Sequence, residues 1–352
     1  MIMELKTNPP QNYFKFFNYR SVEDSEKVET QRLGDIVDFY SNYNREFVSI
    51  PCPFCGDSDY EKADRFRNTF EVAKCNTCTS LYVNPRPVSA TLREFYNKYS
   101  SSALTISQEK RKAENKAADV LSGHLSLVLK ILDKIEKPTI RIAELGCGNG
   151  DFLLNLKNSV EQNNNSKSIE YVGIDINENM IKLAGKSNSG VVFKCASAEE
   201  YLAPGKEKFD IIIHWEIMEH LFDPKAFMKS IHKSLYDDGH CIFSTPNASG
   251  LDQIALGYNS KRYLMHAIYP PMHLTGFSTQ NITMFAVNCG FKIVSVSARG
   301  RFDVDLVTIN KNLVEIGPLR ELADLGERER SIVQGVVNKI NGSGVMLCAF
   351  KK

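Results

Sequence analysis

The spacing of apolar residues along the chain changes at Pro138. Beyond it, apolar runs of strand length alternate with longer stretches that carry an apolar residue every three or four positions, as amphipathic helices do. Helices that connect successive strands in this way require a parallel sheet covered on both faces. We therefore predict an α/β fold built on a doubly wound, mostly parallel, seven-stranded sheet. The predicted strands are Ile140–Leu145, Tyr171–Ile174, Val191–Lys194, Phe209–His214, His240–Ser244, Phe291–Ala298 and Val345–Phe350.

The segment before Pro138 follows other patterns. Residues 105–137 are predicted to be helical and to end before that proline, and a weaker helical pattern covers Arg32–Tyr43. Residues 52–87 consist of short strands, turns and paired cysteines. The predicted organisation is an N-terminal segment at 1–100 with a cysteine ribbon at about 50–87, a helical connector at 101–139, and a main domain at 140–352 with a lid insertion at about 247–278.

Composition narrows the class of protein. The 352 residues are more than a domain with a single hydrophobic core usually contains. Of these residues, 43% are hydrophobic, as in a soluble globular protein. The 43 Lys and Arg residues balance 42 Asp and Glu residues, so no overall charge excess draws the chain to nucleic acid or to a membrane surface. No signal-peptide or membrane-spanning run is visible, and we expect a cytoplasmic protein. Its nine cysteines then favour metal binding or buried thiols over disulfides.

The glycine-rich run RIAELGCGNGDFLLNL links a predicted strand to a predicted helix. No Gly-Lys-Ser/Thr follows Gly146, Gly148 and Gly150, which excludes a P-loop. Asp151 stands where a dinucleotide fingerprint needs its third glycine, which argues against NAD and FAD. The next strand, in YVGIDI, ends at Asp175, a carboxylate that suits the vicinal hydroxyls of a ribose. These features favour an adenosyl group with an amino-acid tail, and a glycine turn without a ligand is the structural alternative.

At this point the chain resembles the class I S-adenosylmethionine-dependent methyltransferases, in their ubiquinone O-methyltransferase-like branch. The segments that carry the resemblance, from Ile140 to the C-terminus, are ELGCGNG, GIDINENMIKLA, FDIIIHWEIMEHLFDP, LYDDGHCIFSTPN and HLTGFSTQNITMFAVNCGFKIVSV. The resemblance implies a Rossmann-like methyltransferase sheet and S-adenosyl-L-methionine as cofactor. Ser197 departs from the aspartate with which many relatives bind the adenine amino group, so Glu199 or a backbone carbonyl is expected there instead. The expected cofactor-binding residues are Glu144, Gly146, Cys147, Gly148, Gly150, Asp175, Ile176, Met180, Ser197, Ala198, Glu199 and Trp215.

Two C-x2-C pairs, separated by nineteen residues, predict a closed zinc site of Cys52, Cys55, Cys75 and Cys78. Such a site has no open coordination position, so its role is expected to be structural; a redox dithiol is the alternative. The cysteine ribbon, followed by LYVNPRP and LREFYNKYS, resembles the N-terminal module of bacterial sugar and natural-product methyltransferases. It also resembles the zinc module of deoxysugar C-methyltransferases.

The cysteine ribbon also raises the possibility of nucleic-acid docking. Arg65, Arg67 and Lys74 alternate with aromatic residues, as in some ribbons that bind nucleic acid. The acidic residues around them would oppose a phosphate backbone, which favours the structural role.

Two histidines are the candidate catalytic residues. His220 matches a histidine that recurs in an EH motif of the resembled family, although a packing role is the alternative. His273 ends the long insertion, and in the sugar C-methyltransferases a Glu-His pair at this place is implicated in proton abstraction. Here Met272 replaces that Glu, and the chain stops soon after its seventh strand; both departures favour O-methylation. Weaker candidates for acceptor contacts are Arg262, Tyr263 and His266.

The sequence thus predicts a methyltransferase that acts on a small polar acceptor, namely a hydroxyl of a sugar, nucleotide-sugar or related metabolite. A sugar C-methyltransferase, or a nucleic-acid or protein methyltransferase that docks through the cysteine ribbon, is the alternative. A catalytically inactive binding protein is the least supported, because the cofactor motifs are complete. We expect no membrane partner, and the sequence does not specify the oligomeric state.

Overall fold

The computed structural model describes residues 22–99, 117–162, 167–187, 190–202, 207–256, 267–300, 303–309, 311, 314 and 316–352. Within these ranges, no helix combines the length and the apolar content that a bilayer crossing requires. The strands are β1 Tyr60–Arg65, β2 Glu71–Cys75, β3 Leu81–Val83, β4 Thr139–Leu145, β5 Ser168–Asp175, β6 Val192–Cys195, β7 Phe209–Trp215, β8 Leu235–Pro246, β9 Thr275–Gly276, β10 Lys292–Ser297 and β11 Val345–Lys351.

The helices flank these strands in chain order. They are α1 Val22–Tyr43, α2 Ser89–Lys98, α3 Ala117–Leu132, α4 Asp151–Gln162, α5 Glu178–Ala184, α6 Ala198–Tyr201, α7 Pro224–Ser234, α8 Leu251–Leu256, α9 Asn281–Asn288, α10 Asp303–Ile309, α11 Gly317–Arg320 and α12 Glu327–Lys339. Short 3-10 turns add Asn44–Glu46, Phe66–Asn68, Gly185–Ser187, Met218–His220 and Glu321–Asp324.

The main sheet has seven strands in the order β10-β11-β8-β7-β4-β5-β6. Strands β4 to β8 are parallel to one another, whereas β11 runs antiparallel to both of its neighbours. One face of the sheet packs on an apolar cluster with α3 and α4, and the other on a cluster with α7 and α9. The predicted α/β class and the mostly parallel seven-stranded sheet are therefore confirmed.

Strand β8 differs from the prediction at its start. It begins at Leu235 rather than His240, and its register against β7 shifts between Phe209 and Ile211. The intervening Asp-Asp-Gly sequence is typical of a turn, and Asp238 has a left-handed φ of 66°. These residue types predicted a break before the strand. In the structure they form an irregularity within a strand that stays paired.

The cysteine ribbon and the main domain share a second sheet. Its four strands have the order β1-β2-β3-β9, and β9 belongs to the segment that follows His273. The two parts also share a core, because the Phe54 ring lies 5.1 Å from that of Phe277 and 5.7 Å from that of Phe285. The N-terminal module is thus packed into the main domain and does not stand apart from it.

Candidate active site

The glycine loop lies between β4 and α4, at the carboxyl edge of the parallel strands. Gly146, Gly148 and Gly150 have φ values of 70°, 53° and 82°, a region that side chains rarely adopt. A Cβ on Gly146 would lie 2.6 Å from Ile217, and a Cβ on Gly150 would lie 2.5 Å from Phe193. A Cβ on Gly148 would meet nothing within 4 Å. The outer two glycines thus allow tight packing, whereas the middle one faces open space that a ligand can enter.

Asp175 closes this loop from the end of β5. Its Oδ2 accepts a hydrogen bond from the backbone N–H of Gly148 at 2.8 Å, and its Oδ1 accepts one from Asn177 at 2.8 Å. A carboxylate offers about four acceptor positions, so two remain for a ligand. The glycine loop and Asp175 therefore lie together at the carboxyl edge of β4 and β5.

Glu144 lies beneath the loop and is buried. Burial, together with the nearby charge of Asp175, raises its pKa well above the usual value. The indole N–H of Trp215 faces this carboxyl group and partly opposes the rise in its pKa, although neither Oε2 nor the buried Nε1 of Trp215 has a partner within ordinary hydrogen-bond geometry among the described residues. The indole of Trp215 stacks on His124 at 4.1 Å and meets Phe152 edge-on at 4.9 Å. Glu144 and Trp215 therefore bring two buried polar groups together at this edge of the sheet.

The third cofactor segment lies beside β5. The Ser197 hydroxyl accepts a hydrogen bond from the backbone N–H of Glu200 at 3.1 Å and thereby caps α6, while Glu199 points to solvent. Ile176 is 68% exposed, which makes it a surface on which an aromatic ring could lie, and Met180 is buried below it in α5. The remaining predicted residues at this edge are Cys147, buried in the glycine loop, and Ala198, in the first turn of α6.

A second polar cluster begins just after β7. The rings of His220 and His273 lie edge-on with centroids 4.6 Å apart, and Nδ1 of His220 lies 3.2 Å from the Tyr96 hydroxyl. Glu219 is buried beside them, and its Oε2 accepts a hydrogen bond from Thr245 at 2.9 Å. Glu219, His220 and His273 bring their ligand atoms within 4.8 Å of one another, a spacing at which a cation or a shared proton can be held.

The environment sets the protonation of this cluster. Burial and the charge of Glu216 raise the pKa of Glu219 well above its usual value. Burial and the neighbouring His273 lower the pKa of His220 well below its usual value. Near neutral pH, His220 is therefore uncharged, and a ring nitrogen can accept a hydrogen bond.

Sequence reasoning brought both histidines to this region but missed two of their neighbours. Tyr96 comes from α2 in the N-terminal segment, and only the resemblance of LREFYNKYS to a methyltransferase module pointed to that segment. His124, which covers one face of Trp215, had no motif to mark it. The weaker acceptor candidates, Arg262, Tyr263 and His266, lie outside the described residues.

The four cysteines meet at one point. The Sγ atoms of Cys52 and Cys78 are 3.5 Å apart, as are those of Cys55 and Cys75, and all four lie within 4.8 Å of one another. Zinc–sulfur bonds of about 2.3 Å at tetrahedral angles separate sulfurs by about 3.8 Å. Each pair is followed by a residue with left-handed φ, either a glycine or Thr79 at 58°, which completes a tight turn around the thiols.

Basic side chains of the cysteine ribbon form ion pairs with acidic side chains of the same ribbon. Lys74 contacts Glu61 at 3.3 Å, Arg65 contacts Glu71 at 3.4 Å, and Lys62 also pairs with Glu71. Exposed pairs of this kind contribute little stability, but they neutralise the surface that a phosphate backbone would need. This pairing weakens the case for nucleic-acid docking.

Comparison with known proteins gives a consistent result. The family model described as "Methyltransferase domain" matches residues 110–296. A ubiquinone biosynthesis O-methyltransferase from Caulobacter sp. (strain K31) is 26% identical over 138 residues, which cover 38% of this chain and 51% of that protein. One from Parvibaculum lavamentivorans is 28% identical over 130 residues, covering 36% and 47%. The chain thus spans about half the length of these curated relatives. The plantazolicin methyltransferase BamL, solved with a triazolic desmethylPZN analog and SAH, aligns with a TM-score of 0.48 at 15% identity, covering 74% of this chain and 94% of BamL.

Proposed function

The chain belongs to the methyltransferase domain family, as a class I S-adenosylmethionine-dependent enzyme, and from this premise we propose that it methylates a hydroxyl of a small polar acceptor. A sugar, nucleotide-sugar or related metabolite is the acceptor class. The observation that carries the proposal is the cluster of His220, His273, Glu219 and Tyr96. The turn that carries His220 meets the glycine loop, because the Ile217 side chain lies against Gly146. The name O-methyltransferase on the matched relatives supports oxygen as the accepting atom.

In this proposal the cofactor lies across the glycine loop. Asp175 accepts hydrogen bonds from the ribose hydroxyls with its two remaining acceptor positions. Gly148, with open space where a side chain would stand, and the buried carboxyl group of Glu144 would hold the methionyl end and its ammonium group. Ile176 and the Ser197–Glu199 segment border the adenine. A buried acid and an open space above a glycine both fit a cationic amino-acid tail.

The protein has two tasks in the reaction, which are alignment and proton removal. S-adenosylmethionine supplies an electrophilic methyl group on a sulfonium, and the acceptor oxygen attacks it in line with the bond that breaks. His273 takes the proton of the acceptor hydroxyl as the new carbon–oxygen bond forms. His220, hydrogen-bonded to Tyr96, orients the acceptor and lies close enough to His273 to pass that proton on.

We also propose that Cys52, Cys55, Cys75 and Cys78 bind one zinc ion. Their Sγ distances suit tetrahedral coordination, and four thiolates leave no open position, so the ion would be structural. None of the nine cysteines forms a disulfide, which supports our proposal of a reducing, cytoplasmic environment. The domain boundaries at residues 100 and 139 remain part of the proposal.

The test of the proposal is a pair of histidine variants assayed by release of S-adenosylhomocysteine. A panel of sugars, nucleotide-sugars and phenols identifies the acceptor. His273→Ala should then lower kcat about a hundredfold to ten-thousandfold, the usual contribution of a general base. Wild-type activity should rise with pH through the histidine range, because the base must be neutral to accept a proton. His232→Ala, in the last turn of α7, where the ring lies 5.0 Å from that of Phe291, is the matched control and should keep full turnover.

Three outcomes would contradict parts of this assignment. Full turnover of His273→Ala at saturating acceptor would refute the base. A methyl group found on carbon in the product, by NMR, would favour the C-methyltransferase alternative. A second metal ion per chain that disappears in His273→Ala would make this histidine a metal ligand and not the general base.

A further inference from the structure

Arg86 is the largest side chain that the structure buries completely. Among the described residues it forms no ion pair with a carboxylate, and its neighbours are carbonyl and hydroxyl oxygens. Burial lowers the pKa of Arg86 to about 10, so the guanidinium is still charged at neutral pH. Asp223 favours the charged form from a distance, but a buried charge with no direct ion pair is costly to maintain. Stability alone is therefore a poor reason for an arginine at this position.

The guanidinium of Arg86 joins segments that are far apart in the sequence. Its Nε donates to the carbonyl of Val83 at 3.0 Å, Nη1 to that of Phe222 at 3.1 Å, and Nη2 to that of Leu274 at 3.0 Å. Nη1 also lies 3.3 Å from the Thr275 hydroxyl. The fixed fork of donors in a guanidinium sets the angles between these partners, as a flexible ammonium cannot.

Each of these segments carries part of the acceptor cluster. Leu274 directly follows His273, and its N–H donates to the carbonyl of Glu219 at 2.8 Å. Phe222 lies two residues after His220 in the turn that leaves β7. The Val83 N–H donates to the Leu274 carbonyl at 2.9 Å, which ties the cysteine ribbon to the same strand. The two candidate catalytic histidines are therefore held on backbone that converges on one side chain.

The N-terminal side of this junction is fixed as well. The backbone of Arg86 exchanges two hydrogen bonds with Val48, at 2.9 and 3.0 Å. Helix α2 follows and delivers Tyr96 to His220. A change in the position of Arg86 would therefore alter both sides of the acceptor cluster, whereas Asp175 lies on a different strand with its own contacts.

We propose that Arg86 is a positioning residue that sets His220 and His273 in their catalytic arrangement by fixing the backbone on either side of them. This inference rests on the proposed function, because the cluster that it positions is the acceptor side of the reaction. Mispositioning of a reacting group by about 1 Å can cost about a hundredfold in rate. The effect of losing Arg86 should therefore appear in turnover and in acceptor binding, and not in cofactor binding.

The test compares Arg86→Met with Arg320→Met. Arg320 donates two hydrogen bonds to the Val314 carbonyl in the C-terminal helices and is the matched control. We expect Arg86→Met to lower kcat about tenfold to a hundredfold, with unchanged metal content and a Kd for S-adenosylhomocysteine within about twofold of wild type. Hydrogen exchange should accelerate in residues 267–276 and stay unchanged in β4 and β5. Arg320→Met should change none of these.

A folded Arg86→Met protein with wild-type kcat and wild-type exchange in residues 267–276 would overturn the proposal. If Arg86→Met does not fold, the same two measurements are made on Arg86→Lys, which keeps the positive charge but loses the planar fork of donors. Millimolar methylguanidinium should partly restore the kcat of Arg86→Ala. A fall in kcat that is due to unfolding alone would not be reversed by this compound. His273→Ala separates the two proposals: if it keeps full turnover, the base assignment fails, yet exchange at 267–276 still tests Arg86.

Discussion

Replacement of Asp175 by alanine tests the cofactor assignment most directly. In the structure this carboxylate holds the N–H groups of Gly148 and Asn177, each at 2.8 Å, and has two acceptor positions left for the ribose. A hydrogen bond to a charged group contributes about 1.5–3 kcal/mol net. Because water will partly replace the lost carboxylate, we expect the total loss for the ligand to equal about one such bond. That corresponds to a rise of about tenfold to a hundredfold in the Kd for S-adenosylhomocysteine.

The same substitution should also affect the free protein. It leaves the two backbone N–H groups without their acceptor, so the melting temperature should fall even in the absence of ligand. Asp175→Asn keeps one carbonyl oxygen and loses the charge, and it should therefore be intermediate in both measurements. Asp151→Ala, which removes an exposed acid from the same loop region, is the matched control and should change the Kd by less than about twofold.

Isothermal titration calorimetry with S-adenosylhomocysteine measures the affinities, and a thermal melt without ligand measures the stability. If Asp175→Ala melts lower but binds the ligand as wild type does, the acid only closes the loop, and the ribose assignment is wrong. If neither quantity changes, the hydrogen bonds to the loop are also unimportant.

Two further predictions concern the metal and the buried acid. Elemental analysis of freshly purified protein should find one zinc per chain, and Cys75→Ser should lose it and melt at a lower temperature; metal-free wild-type protein would contradict the assignment. Because the raised pKa of Glu144 exceeds that of an unfolded carboxyl group, the ligand-free protein should lose stability as pH rises from the ordinary carboxyl range through the folded pKa. Glu144→Gln should remove this loss. S-adenosylhomocysteine should bind wild type with proton release, measured by calorimetry in buffers of different ionisation enthalpy, and the absence of such release would argue against an ammonium contact.

The proposed cofactor half of the site could be assembled from the sequence because its parts are local. Gly146 to Gly150 and Asp175 follow consecutive strands, and parallel strands bring their carboxyl ends to one edge, so motif order alone placed them together. The cluster of four cysteines was predictable for the same reason, because its two C-x2-C pairs lie close together in the sequence. The Ser197 position was identified, but the use of its hydroxyl as a helix cap depends on the next turn of chain.

The acceptor half depends on contacts between distant segments, and local patterns do not encode these. Tyr96 meets His220 from 124 positions away, and no periodicity in either segment indicates that contact. The pairing of β3 with the two-residue strand β9 is too short to leave an alternating pattern. Arg86 appeared in the sequence as an ordinary residue between two prolines, and its burial arises from the packing of three separate segments.

The edge formed by β3 and β9 also restricts how this protein could be rearranged by recombination. Leu81 of β3 pairs with Gly276 of β9. During synthesis, the cysteine ribbon therefore leaves the ribosome long before the strand that completes its sheet has been made. A ribbon exchanged as a cassette between relatives would have to bring a matching partner strand from the far side of the chain. A protein cut in the connector would, for the same reason, yield two halves that recognise each other by strand addition, a basis for a split reporter of methyl transfer.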